Sequence, residues 1–168
     1  MVDMTSGKAF HHLWRYALPI LLGNWLQLAY NAVDSIIAGR FIGREALAAE
    51  GIAGPVMNLI ILFITGLCIG SGVLMSEAFG AKDYKKLKDT QATLLLFGLI
   101  SSLVLAFLGV VFSPYILKAL ACPDEIIHLT NIYLRIIFLG TPFTFAYNSL
   151  AAGLKSVGDS KTPLKFLA

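Results

Sequence analysis

Charge is scarce in this sequence. Asp, Glu, Lys and Arg make up 14% of its 168 residues, against about 25% in an ordinary soluble domain. So few charges cannot clothe a water-facing surface, least of all beside 57% hydrophobic residues and a mean hydropathy of +0.77. Cysteine is scarcer still. Cys68 and Cys122 are the two present, which leaves neither a disulfide framework nor metal-ligand spacing. Cys68 reads as a packed thiol in an apolar segment, and Cys122 as a free thiol in a loop. No Ser/His/Asp set, no His/Cys pair at zinc spacing and no glycine-rich phosphate loop occurs in the right context. Gly66, Gly70 and Gly72 come nearest, but they sit inside an apolar run, where a nucleotide site does not form. An enzyme, a resident cofactor and a catalytic metal are therefore not expected. The net charge of +3 is small, and its basic residues lie between apolar segments. That distribution excludes a nucleic-acid surface.

What the sequence has in abundance is long apolar runs. Four of them reach the ~20 residues that cross a hydrocarbon core of about 30 Å. The pattern predicts an all-α transmembrane chain, with spanning helices at about 14–42, 46–79, 91–112 and 125–155. A fifth begins at about 163. The first run is too long for a signal peptide, and its small residues Ala46, Ala48 and Ala49 follow Arg40 and Arg44. It reads as a retained membrane helix. Pro55 and Pro142 fall inside helices, whereas Ser113-Pro114 reads as a helix end and Asp124 as a helix cap. The chain stops on an apolar rise, Phe166-Leu167-Ala168, which reads as a cut just inside the fifth helix.

Basic residues orient such a chain. Lys8, Arg15, Lys82, Lys85, Lys86, Lys88, Lys155, Lys161 and Lys165 fall on one side. Arg40, Arg44 and Lys118 fall on the other. Nine against three places the N-terminus in the cytoplasm. The loop from Lys82 to Lys88 is expected to set this topology and to touch anionic lipid. Arg135, inside the fourth helix, reads as snorkelling, and His11 and His12 as solvated.

Polar residues within the runs mark the faces turned away from lipid. Asn24, Gln27, Asn31 and Asp34 recur at spacings of 3, 4 and 3, which is one stripe of a helix. Ser35 flanks it. An intramembrane carboxylate costs about 2.5–3.5 kcal/mol. Asp34 is sustained there by a wet cavity, a bound cation such as Na⁺, or a proton. Desolvation favours the proton and a cation favours the charge, so the two compete for one site. Thr141, Thr144 and Asn148 form a second, weaker polar face, and Tyr147 is its aromatic candidate, with Phe143 beside it. In helix two, Asn58 and Thr65 are expected to face inward. Gly66/Gly70 and Gly72/Ser76/Gly80 read as close-packing pairs. Glu50 and Glu77 sit near opposite ends of that helix and read as solvated.

Several blocks resemble a known family in order and spacing. Ala17-Leu18-Pro19-Ile20, then Asn31-Ala32-Val33-Asp34-Ser35-Ile36-Ile37-Ala38-Gly39-Arg40-Phe41-Ile42-Gly43, look like helix one of the multidrug and toxic compound extrusion (MATE) transporters. Ala46-Leu47-Ala48-Ala49, Gly66 to Gly72 and Ser76-Glu77-Ala78-Phe79-Gly80-Ala81-Lys82 resemble their second helix and first cytoplasmic loop. Gly153 to Pro163 resembles the loop after their fourth helix. Glu77 stands where glutamine is expected in many relatives, and Glu50 where an apolar residue is common.

The resemblance implies a whole protein of twelve helices in two lobes, with residues 1–168 as part of the N-terminal lobe in the plasma membrane. It implies antiport, in which an organic, often cationic, compound leaves as Na⁺ or H⁺ enters. Asp34 matches the family's helix-one aspartate, and the remaining N-lobe ligands would lie on helices beyond Ala168. The partners implied are the bilayer, small organic substrates and those further helices. Two other readings stay open. A lipid-linked saccharide flippase of the same superfamily would need a more cationic cavity, for which Arg135 is the candidate here. A non-transporting membrane subunit would end without further transport helices.

Overall fold

A computed structural model describes residues 9–163, and all regular structure within them is helical. Helix α1 is Ala9–Ile37 and runs into a π-helical turn, Ala38–Ile42. Helices α2, α3 and α4 are Arg44–Gly80, Tyr84–Ala119 and Ile127–Ser156. The chain is helical again at 161–163. At 37 and 36 residues, α2 and α3 are each about 55 Å long and outreach the ~40–45 Å of a whole bilayer.

Three of the described helices, α2, α3 and α4, are long and apolar enough to cross a membrane. The expected fourth, α1, has the length. Its stripe of Asn24, Gln27, Asn31 and Asp34 interrupts the apolar run, and it is not among the three.

α3 corrects the sequence reading at both ends. The charged stretch before Gln91 is helix and not loop. Asp83 caps it by accepting the Lys86 N–H at 3.0 Å, and Lys and Leu are good helix formers. At the other end, Pro114 does not stop the helix, which continues to Ala119. Proline removes the N–H that would bond the carbonyl four residues back. That carbonyl belongs to Val110, and the Ser113 hydroxyl lies 3.0 Å from it. Asp124 does not cap α4 either. It lies in a turn, and α4 starts after Ile126 with no side-chain cap.

α2, α3 and α4 pack as a three-helix bundle, with Ile60, Ile64, Met75, Leu94, Leu117, Leu134, Phe138 and Phe145 in its core. The α3–α4 seam is the most extensive. α3 turns a narrow stripe of small residues to α4, and two glycines on it receive phenylalanines. Any side chain at Gly98 would overlap the Phe145 ring, and one at Gly109 the Phe138 ring. The expected glycine pairs of α2 behave otherwise. A methyl group at Gly66, Gly70, Gly72 or Gly80 would meet nothing within 4 Å among the described residues. Cys68 is buried as read, but Cys122 is buried too, with its sulfur 3.8 Å from the Thr130 hydroxyl.

α1 stands apart. It joins the bundle chiefly through the π turn, which packs on α2. Trp25 and Leu28 on α1 are 72% and 69% exposed.

Candidate transport cavity

Between α1, α2 and α4 lies a cavity of about 450 Å³. Its α1 wall is Pro19, Ile20, Gly23, Asn24 and Gln27. The α2 wall is apolar apart from Thr65. α4 supplies Thr141, Thr144, Tyr147, Asn148 and Lys155, and Ser160 and Pro163 close one end. Helical spacing explains the α4 set. Residues 141, 144, 148 and 155 follow steps of 3, 4 and 7 along one face.

Six of the seven residues expected to line a cavity share this one: Asn24, Gln27, Thr141, Thr144, Tyr147 and Asn148. Asn31 does not line it, and neither does Asp34. Asp34 lies seven residues beyond Gln27, about 10 Å further along α1. Of the α2 pair expected to face inward, Thr65 lines the cavity and Asn58 is exposed. Phe143 is 79% exposed and points elsewhere.

Three cavity donors are spent within α4. Thr141 and Thr144 donate to Ile137 O and Gly140 O at 3.1 and 3.2 Å, and the Asn148 amide donates to Thr144 O at 2.8 Å. Tyr147 donates to Pro163 O at 3.5 Å, a long contact. The oxygen lone pairs of these groups remain for a ligand, on a wall that also carries the Lys155 side chain.

Lys155 is the lining residue that the sequence reading missed. Read as a topology-setting loop charge, it ends α4 inside the cavity wall. Its position seven residues past Asn148 was the available signal. Arg135 is not in the cavity. It faces α3, where its Nε donates to Ser113 Oγ at 3.1 Å. Ser113 is fully buried and also lies 2.6 Å from Asn131 Oδ1. These groups form a polar clasp between α3 and α4.

A second polar group sits at the π-turn end of α1. The Ser35 hydroxyl donates to Glu50 Oε1 at 2.9 Å, joining α1 to α2. Glu50 is therefore half-buried and bonded, not solvated as its position predicted. Tyr133 of α4 lies within electrostatic reach of both Glu50 and Asp34. Asp34 itself is exposed.

Beyond α4, Asp159 organises the turn into the next helix. It accepts the Thr162 hydroxyl at 2.6 Å and the N–H groups of Thr162 and Lys161 at 3.0 and 3.2 Å. The Thr162 hydroxyl, with those N–H groups, holds the Asp159 carboxyl below its usual range.

Comparison with known proteins supplies the rest. "Probable multidrug resistance protein YoeA" of Bacillus subtilis (strain 168) is 36% identical over 95% of this chain and 35% of its own length. "Probable multidrug resistance protein YpnP" of the same organism is 34% identical over 99% of this chain and 37% of its own. "Multidrug export protein MepA" of Staphylococcus haemolyticus (strain JCSC1435) is 25% identical over 91% and 34%. The chain thus spans about a third of the length of these curated relatives. A family model, MatE, matches residues 19–168. With its long apolar helices, this chain is a multi-pass membrane protein that belongs to the MatE family.

Proposed function

We propose that this chain forms part of the N-terminal lobe of a secondary active multidrug exporter. The whole protein exchanges organic, often cationic, compounds for Na⁺ or H⁺ across the plasma membrane, with its N-terminus in the cytoplasm. The observation that carries this reading is the cavity of about 450 Å³ between α1, α2 and α4. Its size suits a small organic molecule. Its mixed wall of aliphatic side chains, one tyrosine and hydrogen-bond acceptors suits a polar organic molecule with apolar bulk. The relatives' names, multidrug resistance and multidrug export proteins, support the drug-export reading.

Asp34 carries the coupling in this reading. It sits on the helix that forms one wall of the cavity, but outside the cavity. Substrate and coupling ion then act on the same helix at different depths. Protonation or Na⁺ binding removes the cost of an intramembrane carboxylate, so either ion biases where α1 rests. Among the described residues α1 meets the bundle chiefly through the π turn.

The test is dye efflux from cells expressing the complete parent, wild type against Asp34→Asn, with Na⁺ and H⁺ gradients imposed separately. Wild type exports a fluorescent cationic dye, and at equal expression the variant falls to the level of cells lacking the transporter. The gradient that drives wild type names the ion. Equal export by both proteins would remove Asp34 from the coupling. Absence of export by both proteins would remove the drug substrate.

One observation favours a second reading. Lys155 lines the cavity, and a cation there suits an anionic head, as on a lipid-linked saccharide. Movement of such a lipid in proteoliposomes, lost in Lys155→Gln and without dye efflux, would establish the flippase instead.

A further inference from the structure

Ser35 and Glu50 meet because the chain folds back on itself between them. Gly43 takes a φ of 123°, in the region that favours glycine, and α2 starts at the next residue. Ser35 is eight residues before Gly43 and Glu50 seven after it. At the helical rise the two stand at nearly the same height above the turn, about 10–12 Å. A second contact has the same register. Leu47, four residues after Gly43, reaches to 3.7 Å from where a side chain on Gly39, four residues before it, would start. The bond from the Ser35 hydroxyl to Glu50 Oε1, at 2.9 Å, ties this hairpin at its far end.

Asp34 is the residue next to Ser35. It is exposed, so where its carboxylate stands depends on the turn of α1 that carries it. A hydrogen bond is directional, so the bond to Glu50 sets the rotation of that turn as well as its distance from α2.

A neutral acceptor at position 50 would serve the bond equally well. The carboxylate adds a negative charge to a half-buried position, which packing alone does not require. Its field overlaps that of Asp34, because Tyr133 of α4 lies within electrostatic reach of both. Among the described residues no lysine or arginine pairs with Glu50. Arg40 and Arg44 are exposed at the turn, six residues from Asp34 and from Glu50 respectively, or about 9 Å along their helices. A fixed negative charge beside Asp34 attracts whatever cation Asp34 receives.

We infer that Glu50 is a positioning residue for ion coupling. Through Ser35 it holds the Asp34 turn of α1 against α2, and its charge draws the coupling ion to Asp34. This role rests on the coupling proposed for Asp34 above.

The experiment is ion-driven export of a fluorescent cationic dye by the complete parent in proteoliposomes, with the driving ion, Na⁺ or H⁺, varied in concentration. Each variant yields a maximal rate and a half-saturating ion concentration. Glu50→Gln keeps an acceptor for Ser35 and removes the charge. Ser35→Ala keeps the charge and removes the bond, and Ser35→Thr restores a hydroxyl. Glu77→Gln removes a carboxylate from the far end of α2, and Asp34→Asn removes the coupling carboxylate itself. Thermal unfolding in detergent verifies that each variant is folded. Glu50→Gln and Ser35→Thr keep the wild-type shape, so the test stands on them if Ser35→Ala does not fold.

Glu50→Gln is expected to need about fivefold more ion, the effect of one unit charge at short range in a watery dielectric, and to keep the wild-type maximal rate. Ser35→Ala is expected to lose about tenfold in maximal rate with its ion requirement unchanged. Ser35→Thr recovers that rate, and Glu77→Gln matches wild type. The role of Glu50 is overturned if Glu50→Gln keeps the wild-type half-saturating concentration, if Glu77→Gln shifts it as far, or if Ser35→Ala keeps the wild-type maximal rate. Asp34→Asn separates the two levels. If it loses its response to the ion while Glu50→Gln matches wild type, the role of Glu50 falls and coupling by Asp34 stands. If Asp34→Asn responds as wild type does, both fall.

Discussion

Glycine does opposite things in α2 and α3, and substitution separates the two roles. At Gly98 and Gly109 the space beside the backbone is filled by the rings of Phe145 and Phe138. Gly98→Ala and Gly109→Ala each force a buried ring aside, and overpacking of that kind costs about 1–3 kcal/mol. Thermal unfolding in detergent should show both variants less stable than wild type. At Gly66 and Gly70 an added methyl meets open space. There Gly→Ala removes backbone freedom from the unfolded chain and stabilises by about 0.5–1 kcal/mol. A loss of stability in Gly66→Ala would mean that another segment packs on that face.

Asp159 carries a prediction about pH. Its carboxyl is held below the usual value by the Thr162 hydroxyl first and the backbone N–H groups second. A carboxylate depressed in the folded state stabilises above its unfolded value, about 3.9, and loses that contribution as pH falls through the lower folded value. Amide protection at Lys161 and Thr162 should therefore hold from neutrality down to about pH 4 and decline below it. Asp159→Asn should abolish that dependence.

At the scale of elements, the start of α3 and the junction of α1 with α2 are the informative places. Asp83→Ala removes the cap of α3 and should cost about 1 kcal/mol, seen as faster amide exchange at residues 84–88 with the rest of α3 unchanged. Ser35→Ala breaks the bond that joins α1 to Glu50. A hydrogen bond to a charged acceptor contributes about 1.5–3 kcal/mol, so a spin label on α1 should report a broader distance distribution to α2. An unchanged distribution would leave the π turn as the sole restraint.

The sequence made some of these elements legible and hid others for physical reasons. Length and hydropathy located α2, α3 and α4, because a bilayer demands uninterrupted apolar runs. Those runs report the hydrocarbon and not the helix, so charges at 84–89 read as loop although the helix simply projects into water. Pro114 read as a stop because the hydroxyl that answers its orphaned carbonyl belongs to the preceding residue. Helical periodicity grouped Asn24 with Gln27 and Thr141 with Thr144 and Asn148, and these residues line one cavity, since residues on one face of a helix stay together. It could not divide Asn31 and Asp34 from the cavity, because depth along α1 depends on how far α1 leans from its neighbours. Nor could it find the Ser35–Glu50 bond, which joins two helices across the π turn.

At the scale of the whole molecule, two polar regions lie at different depths of one helix, α1. The cavity is near Asn24 and Gln27, and the Asp34, Ser35 and Glu50 group is near the π turn. This arrangement predicts the accessibility of α1 under an imposed ion gradient. In the complete parent, cysteines at 24 and 27 should change their reactivity to a water-soluble reagent when the gradient is reversed. Cysteines at 98 and 109 on α3 should stay unreactive throughout.

The rings of Phe138 and Phe145 have a consequence for how such a chain can move. They are seven residues apart on α4 and sit in two notches on α3. A slide of one turn in either direction would carry both rings out of register with the notches at once. The pair therefore works like a key seated in a lock with two wards: it can be carried as one body, but its halves cannot shear. A displacement imposed on one of these two helices is therefore carried by the other as well.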